Sequence, residues 1–539
     1  MSDINLQFDR YSDQVGLVSS CETTANDTSC CGEPTAKASS CCGSSTNGSV
    51  TNGLVNLVNG LAYNSTNGTA KTPPFLSIPS ISPSTSSRST KQVDLPVAII
   101  GGGPVGLAAA AHLHQRGESF VLFEGGETVG ASIWSWRHVR LFSPWRYCVD
   151  AASVSLLEAN GWQAPNPEYL PTGEELVEQY LRPLAELPEL KGHIKLGSRV
   201  TFVGRKGLDK MKTADRDQRP FVLHVEQGGN VTRVEAKAVI DASGTWDNPN
   251  PLGSGGVAAM GEAEAHEQIL YGIPDPLGRH KTRYANKRVL VVGSGHSAMN
   301  ALLELAELKD AYPQTEIYWA IRKEQMHTVY GGGAGDALPA RGALGSQLRQ
   351  LVEQRVVHLL TPFYIHEIEQ ENGKLHVAGM LGNMPTTVAD VDEIITSTGS
   401  RPDMSFLREV RVQIDPALES VPALAPLIDP NLHSCGTVRP HGEEELRQVE
   451  KDFYVVGMKS YGRAPTFLLA TGYEQARSVV AGLVGDWEAA QRVELNLPET
   501  GVCSTDLALA INNNNNNNQA ACCGTSPNLS VDALAVACC

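Results

Sequence analysis

Two glycine clusters have the spacing that lets a chain hold phosphate. The first, Gly101-Gly102-Gly103-Pro104-Val105-Gly106, follows the apolar run Val97–Ile100 and precedes the alanine-rich stretch Ala108–Gln115. Gly101 would allow a tight turn, Gly103 the close approach of a pyrophosphate, and Gly106 close packing of helix on strand. The phosphate would then meet the positive end of a helix dipole. Glu124 ends the next apolar run, Ser119–Phe123, where a carboxylate can accept from a ribose hydroxyl. No basic residue replaces it, so a 2′-phosphate is disfavoured and FAD fits this turn. The second cluster, Gly293-Ser294-Gly295-His296-Ser297-Ala298, repeats the pattern after Arg288–Val292, with Ala298 in place of the third glycine. Its following strand, Ile317–Ile321, ends not in a carboxylate but in Arg322-Lys323, cations that suit the 2′-phosphate of NADPH. The bland alternatives are an ordinary glycine turn, two solvated surface cations, and a His296 that only packs or caps.

Cysteine supplies a second chemistry. Of the 12 cysteines, eight form adjacent pairs in the terminal segments: Cys30-Cys31, Cys41-Cys42, Cys522-Cys523 and Cys538-Cys539. Adjacent cysteines rarely bridge each other, because the small ring strains the peptide bond. Two neighbouring thiolates do chelate soft ions such as trivalent arsenic, cadmium, copper(I) or zinc. Composition bias is the competing account, and a structural zinc site would need spaced pairs in a folded ribbon. Between the tails, His433-Ser434-Cys435 with His441 could present a thiol and imidazoles, or be a surface loop. Trp134, Trp136, Trp145 and Tyr147 suit a cofactor cavity or simple packing, and Arg137, Arg140 and Arg146 among them could hold an anion. No Cys-x-x-Cys occurs in the core, which argues against a thioredoxin-reductase mechanism.

These groups need a scaffold, and the chain is long enough for one. It has 539 residues, 41% hydrophobic, with a net charge of -16 that gives phosphate backbones and anionic membranes little to attract. The first residues are polar and acidic, with no apolar core of a secretory signal, so a cytoplasmic protein is expected. The longest apolar stretch is broken by glycines and reads as strand–turn–helix rather than a membrane span. Alternating strand and helix patterns predict an α/β fold with parallel sheets. Residues 1–92 and 501–539, rich in Ser, Asn and Cys, lack a core-forming pattern and are expected to be disordered.

The two glycine motifs, with Asp241-Ala242-Ser243-Gly244 between them and Ile394–Pro402 after them, resemble the two-dinucleotide flavoproteins. Over about residues 94–500 the chain is similar to flavin-containing monooxygenases, most closely to monooxygenase-like proteins encoded with bacterial arsenic-resistance genes. That resemblance implies two Rossmann-like domains, with the NADPH domain (286–395) inserted in a discontinuous FAD domain (93–285 and 396–500). It implies FAD contacts at Gly101, Gly103, Gly106, Glu124, Trp134, Val200, Gly244 and Gly457, beside the NADPH contacts that the second glycine motif and its strand end predict at Gly293, Gly295 and Arg322. It also implies a helix starting near Thr471 that points its N-terminus at the flavin. The chain departs from the family pattern in two places. Gly261, His266 and Tyr271 are each spaced one residue too far, without the usual Phe, and Met458-Lys459 replaces the acidic residue after the late FAD strand. The function expected is an FAD- and NADPH-dependent monooxygenase acting on a soft nucleophile, with a trivalent arsenical as one small-molecule candidate. The alternatives are a flavin reductase or oxidase, and a metalloid-binding sensor on a flavoprotein scaffold. No catalytic side chain, oligomeric state, nucleic-acid partner or membrane partner is predicted.

Overall fold

The computed structural model describes residues 95–331, 338–432, 440–465 and 467–495. The cysteine pairs of both tails, with His433 and Cys435, lie outside the described residues. Two five-stranded parallel sheets organise the rest, as the βα pattern predicts. The first has the order β16-β7-β1-β2-β3, from β1 (Val97–Ile100), β2 (Phe120–Phe123), β3 (Ile194–Lys195), β7 (Ala238–Asp241) and β16 (Phe453–Val455). Its last strand arrives from the far end of the chain and pairs Val455 with Asp241. The second sheet has the order β11-β10-β9-β15-β8: β8 (Ile269–Tyr271), β9 (Arg288–Val292), β10 (Glu316–Ala320), β11 (Val357–Leu360) and β15 (Glu393–Thr396). The second unit is therefore inserted in the sequence of the first. Its sheet takes the edge strand β8 from upstream of residue 286. Each unit carries an antiparallel meander, β4 (Arg199–Arg205), β5 (Phe221–Gln227) and β6 (Asn230–Ala236) in one, and β12 (Phe363–Glu371), β13 (Lys374–Leu381) and β14 (Met384–Val391) in the other.

Four helices position the sites. They are α1 (Pro104–Gln115), α2 (Ala131–Ser135), α3 (His296–Ala311) and α4 (Leu469–Leu483). Pro104 at the start of α1 costs nothing, since the first turn has no intrahelical use for its missing N–H. The small side chains Ala108–Ala111 let α1 lie between the sheet and α4, buried from Val105 to Leu113. Within the helical stretch Gly173–Glu186, Val177–Leu181 widens to π-helical geometry. Pro183 explains it: its ring supplies no N–H to the Gln179 carbonyl, which instead accepts from the Trp162 indole at 2.8 Å. No helix among the described residues is long and apolar enough to cross a membrane.

Candidate functional site

The first glycine turn divides its labour among three positions. Gly101 has φ +102°, and a Cβ there would stand 2.6 Å from the Ala242 carbonyl oxygen, so the turn presses against the loop after β7. A Cβ on Gly106 would stand 2.0 Å from the Gly101 oxygen, which makes Gly106 a packing glycine. At Gly103 nothing lies within 4 Å of the Cβ position. That open space, at the N-terminus of α1, is the cradle a pyrophosphate needs. Glu124 braces the turn: its Oε2 accepts from Gly102 N at 2.6 Å and its Oε1 from Gly126 N at 2.7 Å.

A cavity of about 730 Å³ opens from this turn, and Gly101, Gly103, Glu124, Val200, Gly244 and Gly457 all line it. Phe467 and Leu469 bring the start of α4 to the same wall. Gly457, at φ +69°, sits against Val105, and its N–H donates to Gln475 Oε1 at 2.7 Å. Two of the expected contact residues do not line this cavity. Trp134 is absent from the wall, because its ring lies beside the Arg137 and Arg182 guanidiniums, 5.2 and 5.6 Å from its centroid. Trp136 takes the wall position and pairs with Trp246 at 6.4 Å between ring centroids. Gly106 is likewise off the wall, for the packing reason above.

Behind Ser243 and Phe406 of this wall lies a buried pair that sequence reasoning missed. Lys459, fully buried, donates to Asp241 Oδ2 at 2.7 Å and to Ser243 Oγ at 3.0 Å. Its ammonium also stands 4.4 Å from the centre of the Phe406 ring, itself on the cavity wall. The acid absent after β16 thus has a counterpart at the end of β7, with the cation in its place. Lys459 in place of the expected acid, seen together with Asp241 at the end of an apolar strand, was the available signal.

At the second turn Gly293 has φ +132°, and a Cβ would stand 2.2 Å from the Ser397 carbonyl oxygen. Gly295 is open, like Gly103, and caps α3, while Ala298 is buried inside it. Arg322 follows β10, exposed, and donates to the Ser254 carbonyl at 2.6 Å. His296 packs 5.0 Å from the Phe142 ring. Gly261 lies against the Ile368 carbonyl and Tyr271 OH bonds Glu262, so that segment links the inserted unit's own strands. Two of the arginines face acids: Arg146 pairs with Glu168, and Arg140 stands 3.8 Å from Glu175. Cys148 is buried, and burial pushes its thiol up to about 12, which makes it a poor nucleophile.

Residues 98–426 match the family described as pyridine nucleotide-disulphide oxidoreductase. A ferredoxin–NADP reductase of Lactobacillus johnsonii is 25% identical over 345 residues, 63% of this chain and 85% of that protein. The probable indole-3-pyruvate monooxygenase YUCCA9 of Arabidopsis thaliana is 29% identical over 229 residues, 41% of this chain and 46% of that protein. Among solved structures, the bacillithiol disulfide reductase of Bacillus cereus aligns with a TM-score of 0.54 at 19% identity, covering 73% of this chain and 99% of that one. The cadaverine monooxygenase DfoA of Erwinia amylovora aligns at 0.52 and 12% identity, covering 76% and 99%. At these identities the structural likenesses speak for the fold alone.

Proposed function

Because the chain belongs to the pyridine nucleotide-disulphide oxidoreductase family, we propose that it is an FAD-dependent, NADPH-consuming monooxygenase acting on a soft nucleophile, a trivalent arsenical being the candidate. The supporting observation is the single cavity in which the open Gly103 turn, Glu124 and the start of α4 converge. Gly101, Gly103 and the N-terminus of α1 would hold the pyrophosphate, and Glu124 the ribose. Gly295 and Arg322 would serve the second nucleotide in the same way. Bound flavin supplies two-electron transfer from NADPH and, in this reading, the activation of oxygen.

The chain's own residues then bind, orient and exclude water. Trp136, Trp246, Phe406 and Phe467 give the cavity an apolar wall, which strengthens each polar contact inside it. The first-turn amides of α4 offer positive potential where negative charge gathers. No side chain need act as nucleophile. Among the described residues the one cysteine is the buried Cys148, which speaks against a dithiol relay in the core. The paired tail cysteines would gather the thiophilic substrate.

A second reading has a specific observation behind it: the likeness spans 85% of the ferredoxin–NADP reductase but only 46% of the plant monooxygenase. Stoichiometry separates the two. In a monooxygenase each NADPH and O₂ yields one oxygenated substrate and one water. The test measures NADPH oxidation, arsenate and peroxide on the yellow holoenzyme with and without arsenite. One arsenate per NADPH supports the first reading. Arsenite-independent oxidation that ends in peroxide, or in a reduced protein carrier, replaces it with the second.

A further inference from the structure

Away from the cavity, three side chains from distant parts of the chain converge on one point. His138 lies in the turn after α2, Asp275 in the loop after β8, and Glu304 on α3. One ligand atom from each lies within 4.8 Å of the other two. His138 Nε2 stands 3.8 Å from Glu304 Oε1 and 2.8 Å from the Pro274 carbonyl oxygen. From this juxtaposition we infer that His138, Asp275 and Glu304 form a divalent-cation site of the Mn²⁺ class, between the two nucleotide-binding units.

Three observations support it. First, Glu304 Oε2 is buried with no hydrogen-bond partner. Second, the nearby cations are turned elsewhere. Arg279 donates to the Ser135 carbonyl, and Arg137 stacks beside Trp134. Two carboxylates therefore share the point with no side-chain cation between them. Third, the donors match the ion. One imidazole and two carboxylates, with the Pro274 carbonyl near enough to be a fourth donor, form a hard-to-borderline set that suits Mn²⁺.

Oxygen donors at about 2.1 Å from an octahedral ion sit roughly 3 Å apart, so the side chains must draw together by one or two ångströms. That is within rotamer adjustment for Glu304 and His138. The imidazole keeps one proton, which moves from Nε2 to Nδ1 as the Pro274 hydrogen bond gives way to the metal bond. Because His138 comes from the first unit and Asp275 and Glu304 from the inserted one, a bound ion would tie α3 to the turn that carries Trp136.

Mn²⁺ is also the right probe, since the tail thiolates favour softer ions. The full-length holoenzyme is titrated with MnCl₂, and free Mn²⁺ is read by electron paramagnetic resonance. The expected result is one Mn²⁺ per chain in the wild type. Affinity should fall at least tenfold in Glu304→Gln, which keeps the size of the side chain, and in His138→Gln. Glu307→Gln, on the same helix, should bind as the wild type does. Retained flavin absorbance in each variant certifies the fold. Wild type that binds no stoichiometric Mn²⁺ at millimolar concentration overturns the site, as do variants that bind like wild type.

Discussion

At Gly103 the backbone is extended at φ -79°, and the space above it is empty of protein atoms. A Cβ there has no protein atom within 4 Å, so Gly103→Val should fold normally yet purify as a colourless apoprotein. Retained flavin at full occupancy would show that the pyrophosphate lies elsewhere. Gly106 has the opposite character, since even one methyl would stand 2.0 Å from backbone oxygen. Gly106→Ala should therefore lose folded protein before it loses flavin, which thermal melting of the soluble fraction would report. Arg322 bears on the second cofactor. A charge-assisted hydrogen bond is worth roughly 1.5–3 kcal/mol, so Arg322→Ala should weaken NADPH about ten- to a hundredfold and leave NADH nearly untouched. If both weaken equally, Arg322 only braces the Ser254 carbonyl.

Among the elements, the join between the β4–β6 meander and the first sheet depends on one acid. Glu450, just before β16, receives Arg205 Nε and Arg216 Nη2, each at 2.7 Å, with all three side chains at most 2% exposed. Burial by itself would raise its carboxyl, but the hydrogen bonds from Arg216 and Arg205 hold it below the ordinary glutamate value. Removing one partner of such a buried network typically costs about 3–5 kcal/mol, the loss expected for Glu450→Gln. Because the folded pKa is depressed, this stabilisation is complete above the unfolded value of about 4.3 and fades as pH falls through the folded one. Urea melts of wild type and variant at pH 7, 5 and 4 should therefore show a gap that narrows only at the acid end. A gap that is negligible at pH 7, or that grows on acidification, contradicts this account.

For the whole molecule, the question is division of labour between the sheets and the terminal segments. Ten of the 12 cysteines lie before residue 93 or after residue 500. A tethered chelating segment can raise local concentration to roughly millimolar without fixed geometry. Residues 93–500 alone should then bind FAD and oxidise NADPH at a near-normal basal rate, yet lose most arsenite binding. Arsenic bound per protein, measured on full-length and trimmed chains, decides it. Equal stoichiometry would make the tails bystanders and turn attention to Cys148 and Cys435.

Local spacing alone determined the two strand–glycine–helix turns, the tight turn at Gly101 and the packing role of Gly106. Each of these is a short-range requirement, because a tight turn, a helix start or an amphipathic period is satisfied within about ten residues. What spacing could not decide is which side chains meet across the fold. Trp134 and Trp136 are equivalent on paper, and only the turn after α2 sends the second to the cavity. Asp241 and Lys459 are 218 positions apart, and His138 and Glu304 belong to different units. Parallel pairing of β16 with β7 brings the first pair together, and the docking of α3 beside the turn after α2 brings the second. Such contacts are set by sheet order and domain insertion, which leave no periodic trace in the chain.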